Sequence, residues 1–394
     1  MKVLSITAQK PSSTGSGVYL AELVKSFAKS GIKQAVIAGV YKEDEVTLPD
    51  ETLFYPVYFK TPTLPFAICG MSDEMPYEST RYMDMTPDMV KKHKAAFVAA
   101  AKKAVDEFDP DVILCHHLYL MTAAIREAFP NKTIYGFCHN TDIRQMKKHN
   151  LCNEFIASNI RKLDKIFVLR DIHKDLVKEV YGADESIISV MGMGYNSDIF
   201  HPYENKSQSG ITRIIYAGKI AEKKGVICLI KALGLLDIPP EKLEIKFAGG
   251  AGNEEEYALI KNLADSSKYN IEFLGRLDQI TLSAYYGASD IYVLPSFYEG
   301  IPLTVIEALA CGCKVVMSDI PGLKNWFSQN APGADITYVT LPTMQNEDEP
   351  VARELPEFEK RLSKALFECI NKNATTKADL SSLSWDSIAE RCIK

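Results

Sequence analysis

DIYVLPSFYEGIPLTVIEALACGCKVVMSDIP, Asp290 to Pro321, is the stretch on which the fold turns. Ile291 to Leu294 is a short apolar run with the length of a buried strand. Pro295 and Ser296 turn the chain, an aromatic pair follows, then Glu299-Gly300. Pro302 needs no N–H and suits the first turn of a helix, which the run Leu303 to Cys311 predicts. Gly312 ends that helix, and Val315 to Met317 reads as the next strand. The unit is strand, loop, short helix, strand.

Two carboxylates flank the start of this helix. Glu299 lies in the loop, and Glu307 on the helix face that carries Leu303. Gly300, Ile301, Pro302, Leu303 and Thr304 form the turn whose free amides would attract an anion, phosphate above all. Glu299 could accept from hydroxyls held over the loop, and Glu307 from two adjacent hydroxyls such as those of a ribose. A sugar nucleotide offers all three partners. The crevice beyond the carboxyl end of a parallel strand is where such a ligand belongs.

The run EGIPLTVIEALACG resembles the E-x7-E signature of retaining glycosyltransferases of the GT-B fold, family four. The resemblance extends through nearly the whole chain and is clearer in its second half. It implies an α/β protein with two Rossmann-like domains, parallel sheets facing across a cleft, and a C-terminal helix crossing back. The domains expected are 1–202, on the acceptor side; 203–378, binding the sugar nucleotide; and a tail helix, 379–394. The recurrent strand–helix units agree with parallel sheets covered on both faces.

The chain has 394 residues, long for one core and suited to two domains. Residues 1–200 carry 24 Lys+Arg against 25 Asp+Glu, and the remainder 21 against 26, which together give the formal net charge of −6. Neither half has the basic excess of a nucleic-acid binder, so no nucleic-acid partner is expected. Nine cysteines lack zinc-ligand spacing and read as reduced thiols of a cytoplasmic protein. Lys2-Val3-Leu4 already reads as a strand, so no signal peptide is expected. No run of 18 apolar residues offers a membrane span.

In the first half, Lys2 to Thr7 predicts a strand and Val18 to Lys29 a helix, joined by a loop that holds Gly15 and Gly17. In the resembled family a paired-glycine loop here faces the donor diphosphate and the acceptor. Residues 59–87 hold prolines at 62, 65, 76 and 87, too long a stretch for a plain connection; either short elements or a functional loop would account for it. Met89 to Phe108 predicts a long helix whose basic start, Lys91, Lys92 and Lys94, could touch anionic lipid at the inner membrane face, or be an ordinary wet face. His116 and His117 end one strand, and His139 follows another, Thr133 to Cys138. The resemblance implies that His139 contacts the transferred sugar. Asp142 either fixes its loop or meets the acceptor, and His116 and His117 are lesser acceptor-side candidates. Arg144, Lys147, Lys148 and His149 read as a solvated basic turn open to an acidic acceptor. Gly194, Asn196, Phe200 and Pro202 match the family's G-x-[DN]-x-x-x-F-x-P passage, which places Asn196 on the wall of the sugar site.

In the second half, residues 203–210 read as a linker. Gly218-Lys219 through Lys224-Gly225 matches the family's G-R-x-x-x-x-K-G, whose two cations hold the diphosphate. Lys219 stands where arginine is usual, keeping the charge and losing the bidentate fork. Gly249 marks a tight turn open to close backbone approach, and Arg276 and Leu277 fall in the loop that frames the base. Residues 335–341 predict a strand, 348–370 a helix, 371–378 a linker, and Trp385 the apolar anchor of the last helix.

The function implied is transfer of a hexosyl unit from a nucleoside-diphosphate sugar, UDP by base rate, to a hydroxyl acceptor that is a glycan, a lipid-linked sugar or a small molecule. Departure of the diphosphate would be stabilised by Lys219, Lys224 and the helix start, and no metal or other cofactor is expected. Two alternatives stand: a non-catalytic binding protein of the same fold, marked by a weakened cation pair, and a related epimerase. A phosphorylase would need a longer chain.

Overall fold

The computed structural model describes residues 1–203, 210–251, 253–346, 348–372 and 377–394. The two expected linkers fall partly outside these residues. The chain forms two compact units, Met1–Gly194 with Trp385–Lys394, and Tyr195–Ser384.

The first unit has strands β1 (Lys2–Thr7), β2 (Lys33–Val40), β3 (Leu53–Tyr58), β4 (Cys69–Gly70), β5 (Thr80–Arg81), β6 (Val112–His116), β7 (Ile134–Phe137), β8 (Lys165–Val168) and β9 (Ile188–Val190). Seven pair in the order β3-β2-β1-β6-β7-β8-β9, every neighbour parallel. β1 and β6 are buried almost throughout, as strands covered on both faces must be. Helices α1 (Gly15–Lys29), α2 (Pro87–Phe108), α3 (Leu120–Ala128), α4 (Thr141–Lys148), α5 (Asn153–Ile160) and α6 (Ile172–Tyr181) complete it before the crossover.

The second unit has β10 (Thr212–Ala217), α7 (Val226–Gly234), β11 (Leu243–Ala248), α8 (Glu254–Asp265), β12 (Ile271–Gly275), α9 (Gln279–Ala288), β13 (Ile291–Leu294), α10 (Leu303–Ala310), β14 (Lys314–Ser318), α11 (Leu323–Asn330), β15 (Ile336–Val339) and α12 (Leu355–Asn371). Its sheet runs β12-β11-β10-β13-β14-β15, again all parallel. The chain then returns to the first unit as α13 (Trp385–Ile393), where Trp385 sits edge-on against Tyr19, ring centroids 4.8 Å apart.

Each sheet reverses its winding once, at β1/β6 and at β10/β13. Outside the carboxyl ends of these pairs the connections diverge and leave a crevice. Gly15 and His116 lie at the first reversal, and His139 one strand along, after β7. The residues around Lys219 and Glu299 lie at the second.

Two readings need correction. Residues 144–149 are not a solvated turn, because Arg144, Lys147 and Lys148 ride on α4. Arg144 and Lys148 both reach Asp73, and Lys147 reaches Glu179, so the patch is largely neutralised. The helix expected from residue 348 begins at Leu355, with Pro356 in its first turn, where a missing N–H is tolerated. In the stretch 59–87 the expected short elements are present: it holds the short β4–β5 pair, and Phe59, Ile68, Cys69 and Tyr82 are core residues of the first unit.

Candidate functional site

In the second unit four loops meet at the carboxyl edge of the sheet. Gly249, at φ +149, follows β11; a Cβ there would overlap Gly218 O, and its amide donates to Gly275 O at 2.7 Å. Ile220 N donates to Gly250 O, and the Arg276 side chain lies where a Cβ on Gly250 would stand. Gly225, at φ +70, caps α7; a Cβ there would overlap Pro295 O. Only glycine permits both that dihedral and that approach. Phe297 N donates to Lys223 O at 3.2 Å, so the lysine turn and the loop after β13 are stitched together.

This stitching brings Lys224 to Glu299. Nζ and Oε1 are 2.7 Å apart, and Ser296 Oγ donates to the same carboxylate oxygen at 2.7 Å. Lys219 is exposed, and among the described residues its ammonium has no ion pair. Its carbonyl accepts from Tyr216 Oη at 2.7 Å, which holds the turn.

α10 opens without a side-chain cap, Pro302 occupying the cap position, and Val305 N bonds back to Pro302 O at 3.1 Å. Gly300 faces open space, Ile301 and Leu303 pack partly on the core, and Thr304 Oγ1 lies 2.7 Å from Tyr292 Oη. One turn on, Glu307 is 8% exposed and its carboxylate has no hydrogen-bond partner among the described residues. Burial pushes its carboxyl up from the ordinary 4.5 to about 7. A buried carboxyl without a donor costs stability unless something supplies donors. Arg276 is exposed, and Leu277 packs partly against the core.

In the first unit a cavity of about 220 Å³ opens beside β1, β6 and β7. Gly15, Ser16, His117, His139, Thr141 and Met193 are among its lining. His117 Nε2 lies 2.9 Å from Ser16 Oγ, and His139 Nε2 lies 3.2 Å from His116 Nδ1. The His116 ring stacks on Phe137 at 4.7 Å. Burial lowers all three imidazoles, His139 to about 3; the charges of neighbouring histidines add to the effect at His116 and His117. The cluster is therefore neutral at physiological pH.

The structure separates the sequence candidates. Gly17 lets α1 pack on its own loop, since a Cβ would lie 2.8 Å from Lys10 O, whereas Gly15 borders open space. Asp142 is fully buried and spends its carboxylate on the amides of Leu118 and His139, fixing the loop. Burial raises its carboxyl, against the pull of those amides. Asn196 turns its side chain to its own backbone, Oδ1 accepting from Asp198 N at 3.1 Å. His116 lies behind His139, while His117 lines the cavity directly. Sequence reasoning missed Ser16, Gln9 and Met193. A hydroxyl two residues before a predicted helix was the available signal for Ser16 alone.

Among the described residues no group of three or more His, Cys, Asp or Glu is placed to hold a metal ion, and no helix is long and apolar enough to cross a membrane.

Residues 13–198 match the family described as Glycosyltransferase Family 4, and residues 200–337 the one described as Glycosyl transferases group 1. D-inositol 3-phosphate glycosyltransferase of Paenarthrobacter aurescens is 30% identical over 171 residues, 39% of this chain and 40% of that relative. The match thus spans well under half of its length. Among solved structures, sucrose-phosphate synthase of Thermosynechococcus elongatus aligns over 100% of this chain and 97% of its own, with 17% identity and a TM-score of 0.62. Anabaena HepE, in complex with UDP and glucose, aligns over 100% and 94%, with 14% identity and a TM-score of 0.59. At these identities the likeness concerns the fold.

Proposed function

Because the chain belongs to the glycosyltransferases of the GT-B fold, a Glycosyltransferase Family 4 domain followed by a Glycosyl transferases group 1 domain, we propose that it moves a hexosyl unit, with retention, from a nucleoside-diphosphate sugar to a hydroxyl acceptor. UDP is the nucleotide favoured, in line with the complex of UDP and glucose with HepE. The observation that carries this reading is the sheet edge of the second unit. An uncapped helix start, a lysine–glutamate pair and a buried carboxylate lacking donors occur there together.

The residues divide the work as follows. The amides at the start of α10, with Lys219 and Lys224, meet the diphosphate and stabilise it as it leaves. The hydroxyls of a ribose give Glu307 the donors it lacks. Glu299 takes hydroxyls of the sugar, and His139 orients that sugar through a neutral ring. The bond from the anomeric carbon to the phosphate oxygen breaks as the bond to the acceptor oxygen forms on the same face. The acceptor's proton passes to the departing phosphate oxygen. No carboxylate nucleophile is required.

A panel of UDP-, GDP- and ADP-sugars, with nucleoside diphosphate release measured with and without sugar acceptors, tests this. Release that depends on acceptor is expected for one donor. The second reading is a binding protein without turnover. It is favoured by one feature, lysine at 219 in place of the family's arginine. Tight nucleotide binding with no transfer to any acceptor would establish it.

A further inference from the structure

Two buried tyrosines from neighbouring strands bring their hydroxyls to the carboxyl edge of the second sheet. Tyr216 is the last residue but one of β10, and Tyr292 stands on β13, in register with Ile215. Neither has exposed surface. Tyr216 Oη donates to Lys219 O at 2.7 Å and so holds the cation turn alone. The Tyr292 hydroxyl joins two elements. Its Oη lies 3.0 Å from Ala217 O and 2.7 Å from Thr304 Oγ1. A carbonyl only accepts, so the phenol donates there, and the Thr304 hydroxyl bonds to the same phenolic oxygen.

The two ends of this tie are the two elements assigned to the diphosphate. Ala217 closes β10 and directly precedes Gly218-Lys219. Thr304 is the second residue of α10. Among the described residues the amides of Leu303 and Thr304 have no carbonyl partner, whereas Val305 N bonds back to Pro302 O at 3.1 Å. The helix has no side-chain cap, so no capping group fixes its first turn, and the Thr304 link does. Burial raises the Tyr292 phenol well above its ordinary 10, so the ring keeps its hydrogen. Phenylalanine would fill the same core volume without a polar atom to satisfy, so what the oxygen adds is the tie.

We propose that Tyr292 is a positioning residue for the diphosphate, its hydroxyl setting the spacing between the first amides of α10 and the Lys219 turn. This rests on the donor reading above. Groups that stabilise a departing diphosphate act fully only when they are held in place beforehand, to within about 0.5 Å. A ligand with one phosphate meets one of the two elements and is indifferent to their spacing. A diphosphate spans both, and its binding depends on that spacing.

The test is calorimetry on the full chain with UDP and with UMP, or with the GDP or ADP pair where that base is the one bound. Tyr292→Phe keeps the ring and removes the oxygen. Thr304→Val cuts the same tie from a partly exposed position, so it reports even where the buried change impairs folding. Each is expected to weaken UDP by about three- to tenfold, the worth of one hydrogen bond, and UMP by less than about twofold. The double variant should lose no more than the worse single variant, because both cut one link. Thr304→Ser, which keeps a hydroxyl, should recover most of what Thr304→Val loses. Unchanged UDP affinity, an equal loss for UMP, or additive losses in the double variant overturns the proposal. An unsubstituted chain that binds none of the three diphosphates sinks the donor reading instead.

Discussion

Lys224 Nζ and Glu299 Oε1 stand 2.7 Å apart, so the cation assigned to the diphosphate is held by the carboxylate assigned to the sugar. Both side chains are partly exposed, and such a pair contributes about 1 kcal/mol or less. Glu299→Gln releases Lys224 while keeping the side chain's shape. UDP affinity is expected to hold or rise, by up to about fivefold, while kcat falls. Lys224→Ala should lower affinity instead. Calorimetry with UDP and initial rates with the working donor separate the two. A fall in UDP affinity in Glu299→Gln would mean that the pair positions Lys224 rather than competing for it.

Glu307 couples the site to stability. Its folded carboxyl titrates near 7 against an ordinary 4.5, because it is buried. Between those values the folded chain keeps a proton that the unfolded chain has lost. The group's contribution is therefore most favourable below pH 4.5, and is lost as pH rises through 7. The full difference is on the order of 3 kcal/mol. Glu307→Gln is expected to leave Tm nearly unchanged at pH 5 and to raise it at pH 8. UDP binding should weaken in the same variant. A Tm difference that does not grow with pH would show that Glu307 has donors in solution.

Lys219 is exposed and has no ion pair among the described residues, so its substitution disturbs little of the fold. Lys219→Arg restores the bidentate fork common in the family. Donor KM is expected to fall by about threefold with kcat unchanged or raised, since one charge-assisted hydrogen bond of ordinary strength is added. Loss of activity in a folded variant would show that Lys219 serves another purpose.

The strand–loop–helix–strand unit was legible because β13, α10 and β14 each carry a local signal: an apolar run, Pro302, then Gly312. Its ends match to within a residue or two. α4 and α5 were not, because 141–160 lacks a strong N-cap; the residue before α4, Asn140, sits at positive φ without a side-chain cap bond. α11 was missed because Gly322, in the left-handed region, opens it in place of a capping side chain. Site residues were legible as types at loop positions and not as partners. Nothing in the order of residues says that Lys224 faces Glu299, or that Ser16 faces His117 across 101 positions of chain. Those pairings follow from which strands flank the point where each sheet reverses.

Gly194 belongs to the passage that matches the family's motif, and the structure gives it a packing reason. A Cβ there would strike the Trp385 ring at 2.5 Å and Ile388 at 3.0 Å. Gly194→Ala should therefore cost about 1–3 kcal/mol by overpacking. Trp385→Ala should cost about 3–5 kcal/mol by leaving a cavity beside Tyr19. In the Trp385→Ala background the added methyl at 194 should cost much less, since the ring atoms it strikes hardest are gone and only the flexible end of Ile388, at 3.0 Å, is left to give way. Urea denaturation of the four proteins closes the cycle, and additive losses would show that the contact is not made.

His93 lies on α2 with no exposed surface, packed against Phe59, Tyr82 and Phe97, and neither ring nitrogen has a partner among the described residues. Burial lowers its titration from 6.5 to about 3. The unfolded chain binds a proton below 6.5 that the folded chain refuses. The stability tied to this group is complete above 6.5 and falls as the pH drops from there toward 3. At pH 5 the loss is about 2 kcal/mol relative to pH 8. His93→Leu removes the titration and keeps an apolar side chain of similar bulk. Its unfolding free energy should fall less between pH 8 and pH 5 than that of the unsubstituted chain, by about that 2 kcal/mol. Other buried histidines, His139 among them, keep part of the acid sensitivity in the variant, so its curve should flatten and not become level. Parallel curves for the two proteins would show that the ring finds a proton acceptor or water in solution.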